Sequence, residues 1–131
     1  MKLTIIIPVY NEIKSLNILL NRVLASKVKK QIIIIDDCST DGSREEITNK
    51  FSNKVDKIIF HEKNLGKGAA IISAKNYIKG DFVIIQDADL EYSPENYYDL
   101  LQPILNKKAD VVYGNRFAKS KPFHVYSLIH L

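Results

Sequence analysis

A single cysteine, Cys38, in 131 residues leaves no partner for an internal disulfide. Such usage fits a reducing compartment, so the cytoplasm is the expected location. Long apolar runs are missing too. The greasiest stretches are broken by Pro8, Asp36 and Gln86, well short of the ~20 residues that cross a bilayer. The chain opens directly on strand-like sequence rather than on a basic segment, an apolar core and a small-residue cleavage site. Neither a membrane span nor a signal peptide is expected. Concentrated charge is also lacking. The formal net charge of +4 is spread along the chain apart from Lys29-Lys30 and Lys107-Lys108, whereas duplex-binding proteins cluster their basic residues. Nucleic acid is therefore not an expected partner. The mild positive excess suits a phosphate-bearing ligand and a solvated surface equally. What remains is ordinary globular composition, 46% hydrophobic and 26% charged, in a length that allows one compact domain.

Five short runs rich in β-branched residues read as buried strands: Leu3 to Val9, Gln31 to Ile35, Lys57 to Phe60, Phe82 to Ile85 and Ala109 to Tyr113. Helical periodicity fills the intervals. Ile13, Leu16, Leu19, Leu20, Val23 and Leu24 recur on one helical face, with Asn11 placed to cap the start. A second helix is expected after Ser39-Thr40-Asp41-Gly42, with Ser43 and Glu46 at capping-box spacing and Ile47 and Phe51 inward. A third spans about Lys67 to Ile78, stopped by Gly80. A fourth begins at Ser93-Pro94 and buries Tyr97, Leu100, Leu101, Ile104 and Leu105, with Pro103 expected to kink it or end it early. Strands alternating with helices in this way predict an α/β domain with a mainly parallel sheet covered on both faces.

Ligands bind such sheets beyond the carboxyl ends of the strands. The polar segments fall there: Tyr10-Asn11-Glu12, Asp36-Asp37, Asn64-Leu65-Gly66-Lys67-Gly68, Asp87 to Glu91, and Gly114-Asn115-Arg116. In extended backbone, residues two apart point the same way, so Asp87, Asp89 and Glu91 can aim their oxygens at one point. A hard divalent ion, Mg2+ or Mn2+, relieves their repulsion and bridges to phosphates. An isolated D-x-D more often caps a turn with solvated carboxylates. A strand-end position beside Asp36-Asp37 and Arg116 favours metal and diphosphate instead.

Other phosphate-handling patterns fit poorly. The D-x-D follows the fourth strand, with Leu90 next, unlike the nucleophilic pair of haloacid dehalogenase-type phosphatases. Tyr10-Asn11-Glu12, Asn64 and Asn115-Arg116 stand where a response-regulator receiver needs an acidic pair, an aspartate and a lysine. No G-x-G-x-x-G follows the first strand, and Gly66-Lys67 lacks the rest of a P-loop. A nucleotidyltransferase would need a glycine-rich, arginine-bearing loop after that strand, which is also missing.

Four segments, taken together, resemble family 2 glycosyltransferases of the GT-A fold. They are Ile7-Pro8-Val9-Tyr10-Asn11-Glu12, Asp36-Asp37-Cys38-Ser39-Thr40-Asp41-Gly42-Ser43, Asn64-Leu65-Gly66-Lys67-Gly68-Ala69-Ala70 and Asp87-Ala88-Asp89. The later stretch, Asp87 to Tyr92 with Pro94 and Ala109 to Phe117, looks most like the polyprenyl-phosphate sugar transferases, the dolichyl-phosphate mannose synthase group. The resemblance implies an inverting hexosyltransferase that uses a nucleotide-diphosphate sugar, UDP- or GDP-linked, as donor and a lipid phosphate or glycan as acceptor. It also implies peripheral association of the full-length protein with the cytoplasmic face of the membrane. Carried over by position, Pro8, Tyr10, Glu12 and Asp37 hold base and ribose. Asp87 and Asp89, with Ala88 between them, hold metal and diphosphate, and Glu91 completes the metal shell. Arg116 neutralises phosphate charge, making Asp89 and Arg116 the expected catalytic pair. Lys67 stays open between the same work and a solvent-facing lysine flanked by turn glycines.

The length implies a GT-A nucleotide-binding domain over residues 1–131, incomplete at its C-terminus, where Val125 to Leu131 reads as the start of an apolar helix. A general base, where this family uses one, comes from later in the fold, so no residue here is assigned that role. The alternative is an inactive piece that binds a nucleotide sugar or a partner protein without turnover. Cys38 stands where the family usually carries glycine or another small residue and is expected to be a small buried filler. His61, His124 and His130 show no metal-ligand spacing and are expected to pack or face solvent.

Overall fold

The computed structural model describes residues 2–88, 94–106, 111–113 and 127–130. Each β-branched run becomes a strand: β1 (Leu3–Val9), β2 (Lys30–Asp36), β3 (Lys57–Phe60), β4 (Phe82–Ile85) and β5 (Val111–Tyr113). β1, β3 and β4 have the expected bounds, and β2 gains a residue at each end. Ala109 and Asp110, expected to open β5, lie outside the described residues. β1 to β4 pair in parallel in the order β3-β2-β1-β4. Between them run α1 (Ile13–Ala25), α2 (Ser43–Glu46) with a π-helical turn (Ile47–Phe51), and α3 (Lys67–Ala74) with a 3-10 turn (Lys75–Tyr77). A further helix, α4 (Tyr97–Leu105), follows β4.

Alternation along the central strands divides the apolar side chains between two faces. Ile5, Ile7, Ile32 and Ile34 pack with Leu16, Leu19, Phe51, Tyr97 and Leu101 on one side. Ile6, Ile33 and Ile35 meet the small Ala70 and Ala74 on the other. Alanines let α3 lie close to the sheet, so the loop before it reaches the carboxyl edge. At the opposite edge, Thr4 Oγ1 donates to Gln31 Oε1 at 2.8 Å and accepts the Gly80 amide at 2.9 Å. A Cβ on Gly80 would stand 2.5 Å from Thr4 Oγ1 and 2.8 Å from backbone atoms, so glycine is required for that close approach.

Several expectations are corrected. Ser127–His130, expected to begin a helix, is a strand, β6, antiparallel to both β4 and β5. A short apolar run has no period of its own, and the unpaired edge of β4 decides its conformation. Through β6, β5 runs in the same direction as β4, so its end points to the ligand-binding edge. Ser43 and Glu46 form no capping box: Ser43 is the first residue of α2, Gly42 precedes it with φ 101°, and Glu46 pairs with Lys50. Asn11 does not cap α1; Glu12 occupies that position. Ser93 lies outside the described residues. Helix α4 ends at Leu105, soon after Pro103, and Leu105 is exposed rather than buried. Ile47, Phe51, Tyr97, Leu100 and Leu101 are buried as expected. Among the described residues, no helix is long and apolar enough to cross a membrane.

Candidate functional site

The loops after β1 and β2 are built as one unit. Asn11 takes a left-handed backbone (φ 52°), which asparagine tolerates. That turn delivers three consecutive amides to the opposite loop. Asn11 N–H donates to Ser39 Oγ (3.0 Å), Glu12 N–H to Ser43 Oγ (3.1 Å) and Ile13 N–H to Asp41 Oδ2 (3.1 Å). Asn11 Oδ1 accepts the Thr40 amide in return, at 2.8 Å. The first amides of α1, which no helix bond can satisfy, are thus capped from another segment. Burial pushes the Asp41 carboxyl up, but the Ser43 hydroxyl and the Ile13 and Ser43 amides outweigh it and hold Asp41 below its ordinary value.

Neighbouring carboxylates at the end of β2 have different tasks. Asp36 is fully buried and accepts from Arg44 Nε at 3.0 Å and the Ser39 amide at 3.1 Å. Arg44 also donates to His61 O at 2.6 Å and lies over the Phe60 ring. That carboxylate holds the loop together and is not among the residues lining the cleft formed by Asp37 and Asp87. Asp37, one residue on, turns the other way. Its Oδ1 accepts the Leu65 amide (2.8 Å) and pairs with His61 Nδ1 (2.8 Å), and its Oδ2 accepts the Gly66 amide (2.8 Å). Gly66 adopts φ 95°, a backbone open to glycine, and this aims both amides at the carboxylate. Burial raises the Asp37 carboxyl, but hydrogen bonds from His61, Leu65 and Gly66 more than offset it, so it sits below the usual carboxylate range.

Across the cleft the D-x-D segment leaves β4. Gln86 Oε1 accepts from the buried Tyr97 hydroxyl at 2.7 Å, and Ala88 O accepts from Ser15 of α1 at 2.5 Å. These buried contacts fix the strand exit on both sides of Asp87. The Asp87 carboxylate itself is partly exposed, and Lys67 Nζ lies 2.5 Å from its Oδ1. Pro8, Tyr10, Glu12, Asp37, Lys67, Ala70, Asp87 and Ala88 enclose a cleft of about 250 Å³. It sits at the carboxyl edge where strand order reverses around β1. Seven of these residues were singled out from the sequence; Ala70 is the addition.

Asp89, Glu91 and Arg116 lie outside the described residues, as do Gly114, Asn115 and His124. Among the described residues, no cluster of three or more His, Cys, Asp or Glu side chains is placed to hold a metal. Asp87 nevertheless suits a hard divalent cation: it is a cleft-lining carboxylate whose partner is a cation rather than a set of amides. Sequence reasoning missed His61, Ser73, Arg44 and Ser15. His61 is buried, and its Nε2 lies 2.8 Å from Ser73 Oγ. Cys38 is also corrected: it is partly exposed, left-handed (φ 66°), with Sγ 3.4 Å from Glu62 O. Glycine-like backbone at that position was the signal available, since the motif carries a small residue there.

The family model for Glycosyl transferase family 2 matches residues 4–131. A dolichol-phosphate mannosyltransferase of Pyrococcus furiosus is 32% identical over 121 residues, 91% of this chain and 34% of that protein. The chain spans about a third of the length of the curated relatives it matches. S. aureus TarS 1-349, solved in complex with UDP-GlcNAc, is 30% identical with a TM-score of 0.71, covering 85% of this chain and 33% of that one. The mannosyltransferase PcManGT of Pyrobaculum calidifontis, in complex with GDP-Man and Mn2+, gives a TM-score of 0.77 over 98% of this chain and 44% of its own. At 16% identity, that likeness bears on the fold, which is GT-A.

Proposed function

The chain belongs to glycosyl transferase family 2, and from that premise we propose that it is the donor-binding part of an inverting hexosyltransferase. The donor is a UDP- or GDP-sugar and the acceptor is polyprenyl phosphate. One observation carries this reading: residues at the carboxyl ends of β1, β2 and β4 and in the first turn of α3 line a single cleft with a locked carboxylate on one side and an ion pair on the other. Base and ribose lie along Tyr10, Glu12 and Asp37. The diphosphate lies toward Asp87 and Lys67, and the family resemblance assigns Asp89 and Arg116 to the same group. Asp87, Asp89 and Glu91 are the residues that would hold Mg2+ or Mn2+, which would supply positive charge against the diphosphate.

Lys67 counters phosphate charge within the cleft. The acceptor oxygen attacks the anomeric carbon from the face opposite the leaving diphosphate; its new bond to that carbon forms as the carbon–diphosphate bond breaks. A lipid phosphate is already an anion and needs no general base, in contrast to a sugar hydroxyl. The dolichol-phosphate substrate named for the Pyrococcus furiosus relative supports this choice. It also supports the reading that the full-length protein associates peripherally with the cytoplasmic face of a membrane. Titration of the chain with UDP-glucose and GDP-mannose, with and without Mn2+, tests the donor site; failure to bind any nucleotide sugar in a metal-dependent way defeats it. Transfer onto polyprenyl phosphate, assayed with the same chain, separates an active enzyme from a binding piece.

A further inference from the structure

Resting on the donor-site reading above, we infer that His61 is a positioning residue for nucleoside recognition: it fixes the cleft-lining carboxylate of Asp37 in the one orientation that base and ribose meet. A carboxylate at a strand end is free to rotate unless donors hold it. Asp37 has three, the amides of Leu65 and Gly66 and the ring of His61, on about four acceptor sites. What remains is acceptor capacity on Oδ2, available to an N–H or O–H of a ligand. The lowered Asp37 carboxyl keeps it an acceptor.

His61 is itself held on every side. Its amide donates to Asp36 O at 2.9 Å and its carbonyl accepts from Arg44 at 2.6 Å. Its Nε2 faces Ser73 Oγ at 2.8 Å, and Ser73 Oγ donates to Ala69 O at 2.9 Å. A rigid line therefore runs from α3 through Ser73 and His61 to Asp37. The order Asp-His-Ser also occurs in hydrolases, but Ser73 lies inside α3, where backbone amides are spent on the helix. No free amide pair remains there to receive an oxyanion. This network holds a carboxylate; it does not transfer an acyl group. His61 was expected either to pack or to face solvent; it is buried, and its two ring contacts give that packing a direction.

The test compares the wild-type chain with His61→Phe, His61→Asn and Ser73→Ala. Calorimetry measures binding, in the presence of Mn2+, of whichever of UDP and GDP the wild type takes, and of inorganic pyrophosphate. His61→Phe keeps the bulk and loses the donor. It is expected to weaken the nucleoside diphosphate at least about tenfold while leaving pyrophosphate within about twofold. His61→Asn, which places an amide near the Nδ1 position, is expected to recover most of that loss whatever its melting temperature. A merely structural histidine gives a different result: both ligands weaken together, or neither does in the folded variant, and either outcome overturns the inference. Should His61→Phe fail to fold, Ser73→Ala removes only the Nε2 partner. About a threefold loss confined to the nucleotide supports the inference, and no loss overturns it. Wild-type chain that binds neither nucleotide defeats the donor reading and this inference with it, before any substitution is made.

Discussion

Asp37 and Asp87 line the same cleft and are held in opposite ways. Asp37 is buried and meets two amides and an imidazole, all within 2.8 Å. Asp87 is partly exposed and meets one flexible ammonium. Buried polar groups must be satisfied by the protein, whereas a solvated carboxylate can keep its lone pairs for a ligand. On the donor-site reading proposed above, the nucleoside end would be finished before the donor arrives and the diphosphate end completed by it. In that proposal preorganisation serves the rigid, aromatic part of the ligand, and adaptability serves the part where charge and metal change.

The sharpest way to break this contrast is to remove each carboxylate charge in turn. Asp87→Asn is expected to cost metal-dependent donor binding about a hundredfold, on the scale of losing one key charge contact. Its stability should stay within about 0.5 kcal/mol, because an exposed ion pair contributes little. Asp37→Asn should lose less affinity, about tenfold, but about 1–3 kcal/mol of stability, since an amide NH2 would face donors already in place. Titration and urea unfolding of both variants check the pair. Equal stability losses would erase the distinction between the two ends.

Acid sharpens the same comparison. Asp37 and Asp41 both sit below the ordinary 3.8 in the folded chain. The unfolded state therefore takes up protons first as pH falls. Their contribution is fully present well above 3.8 and is lost as pH drops through the lower folded-state values. Urea unfolding between pH 7 and pH 3 should show this loss. Asp41→Asn should flatten it while lowering stability at neutral pH by about 1 kcal/mol, the usual worth of a helix cap. An unchanged acid slope in both the Asp37 and Asp41 variants would mean that other carboxylates control it.

How much of this was legible depended on the range of the interactions. Strands β1, β3 and β4 matched their expected bounds because continuous β-branched runs declare buried parallel strands. Most cleft residues were legible because they lie at or just beyond the carboxyl end of a strand, and parallel strands deliver their ends to one edge; Lys67 was legible from the glycines flanking it at the start of α3. β6 was not, since four residues acquire strand geometry only from β4 and β5 beside them. The role of His61 depends on Asp37, 24 residues before it, and Ser73, 12 after. No local pattern encodes such a meeting. The capping of α1 failed in the same way: Asp41, 28 residues from Ile13, supplies what a neighbour was expected to supply.

The smallest effect concerns the backbone of the interlocked loops after β1 and β2. Asn11 and Cys38 both adopt positive φ, at 52° and 66°. Asn11 is compensated, since its side chain accepts the Thr40 amide at 2.8 Å and asparagine tolerates this region. Cys38 has only a long thiol contact of 3.4 Å to Glu62 O, while its Cβ pays the left-handed penalty of about 1–2 kcal/mol. Cys38→Gly should therefore raise stability by about 0.5 kcal/mol, the strain relieved less the extra freedom of the unfolded glycine. Asn11→Gly should lower stability, because the hydrogen bond to Thr40 goes with the side chain. Cys38→Ala provides the control: it keeps the Cβ and loses the sulfur, so it should gain nothing. Equal gains for Ala and Gly in urea unfolding would trace the effect to the thiol and clear the backbone of strain.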